Sequence, residues 1–252
     1  MIRSLGLQFS QPNPRYAAGD VLQVAGCAVR LKVDRRARRV SLRLDSTRGE
    51  IIATAPSQRR LKEAADFAAQ RAHWIGEAVG RLPPSEPLAP GASLQVLGRS
   101  CQLKSALGPR RQGLFEEAGL VLRASGEGEA FRRAALRVLK AEALKVLTDR
   151  SRAYAAALGQ PEPKVAVMDA RSRWGSCTPA RRGRLASLRY SWRLILAPYE
   201  VMDYVVAHEC GHLVHPDHSS RFWSLVASLG PDVKRGRAWL RAHGPRLHAV
   251  GR

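Results

Sequence analysis

The sequence predicts an α+β protein, with a β-rich N-terminal part followed by a C-terminal domain built mainly from helices. Two observations carry this. Up to about residue 128, apolar and polar residues alternate in short runs separated by Gly- and Pro-containing turns. From residue 129 the apolar residues recur instead at helical spacing, with two strand-like runs among them.

Residues 1–28 read as an N-terminal arm, mixed in composition and rich in turn residues. Val29, Leu31 and Val33 alternate with Arg30, Lys32 and Asp34, and Val40, Leu42 and Leu44 alternate with Ser41, Arg43 and Asp45. This predicts two strands forming a hairpin around a connection that carries Arg35, Arg36, Arg38 and Arg39. A third strand covers 51–54 and is closed by Pro56. Ser57 reads as the N-cap of a single helix whose apolar face holds Leu61, Ala64, Ala65, Ala68, Ala72, Ile75, Val79 and Leu82. A Pro-rich connection follows at 82–93, then short strands at 94–97, 101–104 and 120–123. The expected organisation is an arm over 1–28, a β-rich region with one helix over 29–128, and a further domain over 129–252. No internal repeat and no low-complexity tract is evident.

In the second half, Phe131, Ala135, Leu139, Ala143, Val146, Leu147, Tyr154 and Leu158 mark a long amphipathic helix ending at Gly159. Strands are expected at 164–169 and 185–192, flanking the loop RSRWGSCTPARRGR. Pro198 fits the first turn of a helix running to about Val214. A short helix from Ser219 stops at Gly230-Pro231, and another ends near Gly244.

Composition narrows the function classes. The chain of 252 residues carries 42 Lys and Arg against 21 Asp and Glu, a formal net charge of +21. Such a field attracts nucleic acid, nucleotides or other anionic partners. Cys27, Cys101, Cys177 and Cys210 form no CxxC pair, which argues against a zinc ribbon or a redox motif. They read as reduced thiols of a cytoplasmic protein. No run approaches the ~20 apolar residues of a membrane span, so no membrane partner is expected.

The run YVVAHECGHLVHPDHSSRFW carries the chemistry. His208 and His212 lie four apart on a predicted helix and project from one face. Two imidazoles at that spacing can hold one zinc ion, and Glu209, next in sequence to the first, can take a proton from water on the metal. A catalytic zinc needs a third protein ligand, either His215 or His218. His215 follows on the same helix, whereas a turn after Pro216-Asp217 can bring His218 back, so the geometry favours His218. Cys210 points off the ligand face. Asp217 either orients an imidazole or is a solvated loop carboxylate.

The blocks RSRWGSC, WRLILAP and DYVVAHECGHLVHPDHSSRFW occur in that order and resemble those of the YgjP-like and SprT-like (WLM-related) zinc metallopeptidases. The resemblance covers most of residues 29–244. It implies a zincin-like C-terminal domain with an active-site helix and a β-hairpin wall. It also implies His208, His212 and His218 as zinc ligands and Glu209 as the catalytic carboxylate. The ligand spacing is similar to the metzincin pattern, except that His215 stands at its glycine position and Met1, Met168 and Met202 all lie upstream of any Met-turn.

Within RSRWGSC, Arg173 is a candidate contact to substrate or transition state, and Trp174 reads as a core side chain. Arg171, Arg173, Arg181, Arg182, Arg184, Arg189 and Arg193 make residues 171–193 strongly cationic. The leading expectation is a zinc-dependent peptidase acting on polypeptide. The alternatives are a metal-dependent hydrolase of nucleotide phosphoanhydrides, or a nucleic-acid-associated protein with a structural zinc. Aromatic residues are poorly interleaved with the basic clusters, which gives little sequence support for stacking on single strands.

Overall fold

The computed structural model describes residues 16–46, 48–108, 112–170, 173–181 and 183–251. Most of the expected arm therefore lies outside the described residues. The chain forms two compact units, residues 1–82 and 83–252. The sheet of residues 93–124 thus belongs with the helical part, whereas the sequence reading grouped it with the first strands.

The first unit holds a sheet of β1 (Val21–Val24), β2 (Cys27–Val33), β3 (Ser41–Asp45) and β4 (Glu50–Ala55) in the order β1-β2-β4-β3. Strands β2 and β3, expected as a hairpin, are not neighbours. Instead β4 lies between them, parallel to β2 and antiparallel to β3. The reason is burial. Ile51, Ile52, Ala53 and Ala55 are all buried, so the strand that is apolar on both faces takes a central place. The true hairpin is β1–β2, whose first strand and turn fall in residues read as arm. Its two-residue turn, Ala25-Gly26, has φ of 51° and 73°, the left-handed pair that matches strand twist.

The single helix expected from Ser57 is two helices, α1 (Leu61–Gln70) and α2 (Ala72–Gly80). Ser57 has an extended N-cap backbone but makes no side-chain capping bond, and a 3-10 turn precedes α1. The break falls at Arg71, whose φ of −102° and ψ of 21° leave helical geometry. Leu61, Ala64, Ala65, Ala68 and Ile75 close a core against Val29, Leu31, Ile51, Ala53 and Ala55.

The second unit opens with the same arrangement. Its strands β5 (Ser93–Val96), β6 (Arg99–Ser105), β7 (Gly113–Glu117) and β8 (Gly119–Ala124) run in the order β5-β6-β8-β7. The β5–β6 turn, Leu97-Gly98, again has two positive φ values, 49° and 80°. Strand β8 is parallel to β6 and antiparallel to β7, and α3 (Gly128–Ala157) follows. The sequences correspond: Leu22-Gln23-Val24, Gly26 and Leu31-Lys32 match Leu94-Gln95-Val96, Gly98 and Leu103-Lys104 at the same spacing. The buried faces correspond as well, Leu61, Ala64, Ala65 and Ala68 matching Phe131, Ala134, Ala135 and Val138. The chain does contain an internal repeat, concealed because few positions are identical and the β3–β4 and β7–β8 connections differ in length.

Helix α3 is 30 residues long, about 45 Å at 1.5 Å per residue, and packs on β8, β9 and α4. A three-stranded sheet follows, ordered β10-β11-β9, from β9 (Lys164–Met168), β10 (Gly175–Thr178) and β11 (Ser187–Ser191). A buried 3-10 segment, Trp192–Leu196, leads into α4 (Tyr199–Gly211), then α5 (Ser220–Ser228) and α6 (Val233–Leu247). Helix α4 stops at Gly211 rather than near Val214, and α6 continues past Gly244. All four cysteines are free, and no described helix is long and apolar enough to cross a membrane.

Phe131 is fully buried where α3 meets the second sheet, whereas Leu107 is 90% exposed. Phe131→Ala is expected to cost about 3–5 kcal/mol and Leu107→Ala less than about 0.5 kcal/mol in denaturant unfolding.

Candidate metal centre

Helix α4 is buried along most of its length, with Val201, Met202, Tyr204, Val205, Val206, Ala207, Glu209, Cys210 and Gly211 all inside. His208 sits near its end and His212 is its C-cap. The chain then turns, His215 N–H donating to the Gly211 carbonyl at 2.9 Å, and returns to Ser219, the N-cap of α5. That return brings His218 against the helix. The candidate ligand nitrogens of His208, His212 and His218 all lie within 4.8 Å of one another.

These residues fit a metal on four counts. The Nε2 atoms of His208 and His218 are 3.2 Å apart. Two nitrogens on a tetrahedral zinc at its usual bond length would be about 3.3 Å apart. His212 Nδ1–H donates to the His215 carbonyl at 3.0 Å, which fixes the tautomer and leaves Nε2 free. His208 Nδ1 is buried without a hydrogen-bond partner among the described residues, so Nε2 is the nitrogen it presents to the cluster. Burial, followed by the other two histidines and Arg237, pushes His208 down to about 4, and burial lowers His212 as well. Both imidazoles are thereby held neutral, the state that ligates.

His215 contributes its carbonyl, and its ring is not part of the cluster. It is not among the positive-φ residues, so the turn closes without the left-handed conformation that a glycine would have supplied. Asp217 accepts from Ser219 N–H at 3.2 Å and shapes the turn, with no hydrogen bond to an imidazole among the described residues.

Phe222 of α5 lies at the centre of the histidines. It is fully buried, stacks on His212 at 4.5 Å and meets His208 and His218 edge-on at 5.0 and 4.9 Å. Gly211 makes room for it, since a Cβ there would come within 3.0 Å of the phenyl ring and 2.9 Å of Val226. Trp223 adds contacts to His208 and His218 at 5.5 and 5.6 Å. Sequence reading did not single out Phe222, Trp223 or Gly211. A glycine inside a helical motif, at a cost of about 1 kcal/mol, was the available signal.

Glu209 is 6% exposed, and burial pushes its carboxyl up to about 7, with Arg173 acting in the opposite direction. Strand β10 closes over it. A Cβ on Gly175 would fall 2.5 Å from Glu209 Cγ and Oε1, so only glycine allows this approach. Strand β10 is an outer strand of its sheet, paired on one side only, with β11. Arg173, just before it, is exposed. Trp174 stacks on His248 at 5.0 Å and packs at Gly244 of α6. Cys177 is half-buried with its thiol pushed up to about 11, and Cys210 packs in the core against the Ser151 carbonyl.

The cationic segment is less uniform than its sequence. Arg171 and Arg182 lie outside the described residues, and Arg173, Arg181, Arg184 and Arg189 are exposed. Arg193 is buried, ion-paired with Asp169 and set over the Trp192 ring, so it belongs to the interior. Arg237 of α6 lies over Trp223 at 5.4 Å and was not foreseen.

The family described as YgjP-like, metallopeptidase domain, matches residues 38–243. No curated protein and no solved structure matches the chain.

The contact between β10 and Glu209 is testable. Gly175→Ala forces one or the other to move and is expected to cost about 1–3 kcal/mol of stability. Because the histidine rings pack on Phe222 and Trp223 of α5, the variant should still bind metal. Thermal unfolding and metal analysis of the same preparation check both parts.

Proposed function

Since the chain belongs to the YgjP-like metallopeptidase-domain family, we propose that it is a zinc-dependent peptidase with His208, His212 and His218 as metal ligands and Glu209 as general base. Family membership and the histidine cluster together support a metal-dependent hydrolase. The observation that carries the finer reading is the burial of one carboxylate, Glu209, between the helix of two of the histidines and the Gly175 backbone.

Three histidines with no fourth ligand in the cluster among the described residues match a catalytic site better than a structural one. When bound, zinc supplies a Lewis acid that polarises both the attacking water and the scissile carbonyl. Glu209 then holds that water through a carboxylate oxygen, takes its proton as the carbonyl carbon is attacked, and returns the proton to the leaving nitrogen. The unpaired edge of β10 offers main-chain N–H and C=O groups to an extended polypeptide. Arg173 stabilises negative charge that develops on the carbonyl oxygen.

A second reading, hydrolysis of nucleotide phosphoanhydrides, is favoured by the exposed Arg173 and Arg237, which act electrostatically on Glu209 and His208 respectively. Parallel assays separate the two. Cleavage of a quenched peptide library should stop in chelator and return with zinc. Phosphate release from nucleotides without peptide cleavage would install the second reading instead.

Glu209→Gln should keep its metal and lose at least about 100-fold in turnover. Full activity in that variant would remove Glu209 as the base. His218→Ala should lose metal, whereas His215→Ala, which keeps the carbonyl that orients His212, should retain most of it. Metal analysis after dialysis reads both.

A further inference from the structure

The first unit carries a groove that the proposed hydrolytic reaction does not use. It runs between β3, an outer strand of its sheet, and helices α1 and α2. Its aromatic end has a volume of about 470 Å³ and is lined by Arg39, Val40, Leu42, Phe67, Arg71 and Trp74. That is the size of a pocket for a nucleoside-sized group. Trp74 is 41% exposed, although an indole is ordinarily covered in a core. Arg71 lies over the Phe67 ring at 5.6 Å. Arg38, Arg39, Arg43 and Arg71 have no ion-pair partner among the described residues, in a unit that pairs its nearby Arg60 with Glu63 and Lys62 with Asp66. The acidic end of the groove is thus neutralised and the aromatic end is left cationic.

The internal repeat sharpens this. At the positions matching Val40, Ser41 and Leu42 the second copy has Gln112, Gly113 and Leu114, and Arg137 stands where the first copy has Phe67. The second copy's helix α3 also runs on unbroken, whereas the first copy breaks at Arg71 and restarts as α2, the helix that bears Trp74. The aromatic wall and the break are therefore additions to the shared scaffold. Among the described residues, the first copy holds no cluster of metal-ligating side chains.

We propose that this groove binds single-stranded nucleic acid, with a base stacked on Trp74 and flanking phosphates held by Arg39 and Arg71. An acidic polypeptide would satisfy the arginines but would leave the exposed indole and the apolar wall without a role. A nucleotide strand satisfies both, because every base offers a flat face and the backbone carries a phosphate on either side of it.

The test is fluorescence anisotropy of the full chain with a fluorescein-labelled single strand of twelve deoxythymidines. Trp74→Ala leaves the charge unchanged and should weaken binding about tenfold. Trp74→Phe should recover most of the affinity, which separates stacking from damage to the unit. Arg39→Ala combined with Arg71→Ala should reduce the slope of log affinity against log salt by about 1.4. Arg133→Ala, an exposed cation of the second unit, should not alter affinity by more than the loss of one general charge. Wild-type affinity in Trp74→Ala, or equal loss in Trp74→Phe and Trp74→Ala, overturns the proposal. So does Trp74-dependent binding of labelled polyglutamate at the affinity of the deoxythymidine strand. No readout depends on hydrolysis, so the result stands apart from the peptidase reading.

Discussion

Three imidazoles can meet at one point only if the chain leaves helix α4, turns and comes back at a fixed distance. The Phe222 ring sets that distance. It is fully buried against Gly211, stacks on His212 and touches the edges of His208 and His218. Aromatic contacts of this kind are each worth about 0.5–1.5 kcal/mol beyond area burial. The histidines are thus held by packing before any ion is present. The carboxylate beside them is held in the same way, by packing against the glycine of β10.

Long helix α3 makes this possible from the other side. Arg150 of α3 bonds to Asp203 of α4, Tyr154 donates to the same carboxylate at 2.9 Å, and Ser151 meets Tyr190 of β11 at 3.0 Å. Helix α4 is therefore pinned to α3 by polar contacts on one face and presents its histidines on another. The same helix closes the second four-stranded sheet, so one element of the repeated scaffold is lengthened where it packs on the helix of the candidate metal centre. In the first copy the corresponding helix ends after ten residues. Divergence of the two copies follows from what each helix does next.

Much of the candidate site was legible because its signal is local. His208, Glu209 and His212 are placed by helical periodicity alone, and His218 by a turn that Pro216 and Asp217 announce. The α+β order and the long helix were legible for the same reason. What could not be read is non-local. Strand β4 enters between β2 and β3 because it is apolar on both faces, a fact about sheet competition rather than spacing. Phe67 and Trp74 lie some thirty residues from Arg39 in sequence yet line one groove with it, so poor interleaving along the chain did not mean poor interleaving in space. Arg193, read as part of a cationic surface, is buried because Asp169 and Trp192 meet it inside.

The proposed chemistry depends on an open metal site held by three histidines. Zinc-edge X-ray absorption of the metal-loaded protein tests it most directly, because it counts and identifies the atoms around the ion. Three nitrogens at about 2.0–2.1 Å with one further oxygen are expected, lost as a set in His218→Ala. Sulfur at about 2.3 Å would place Cys177 or Cys210 on the metal and contradict it.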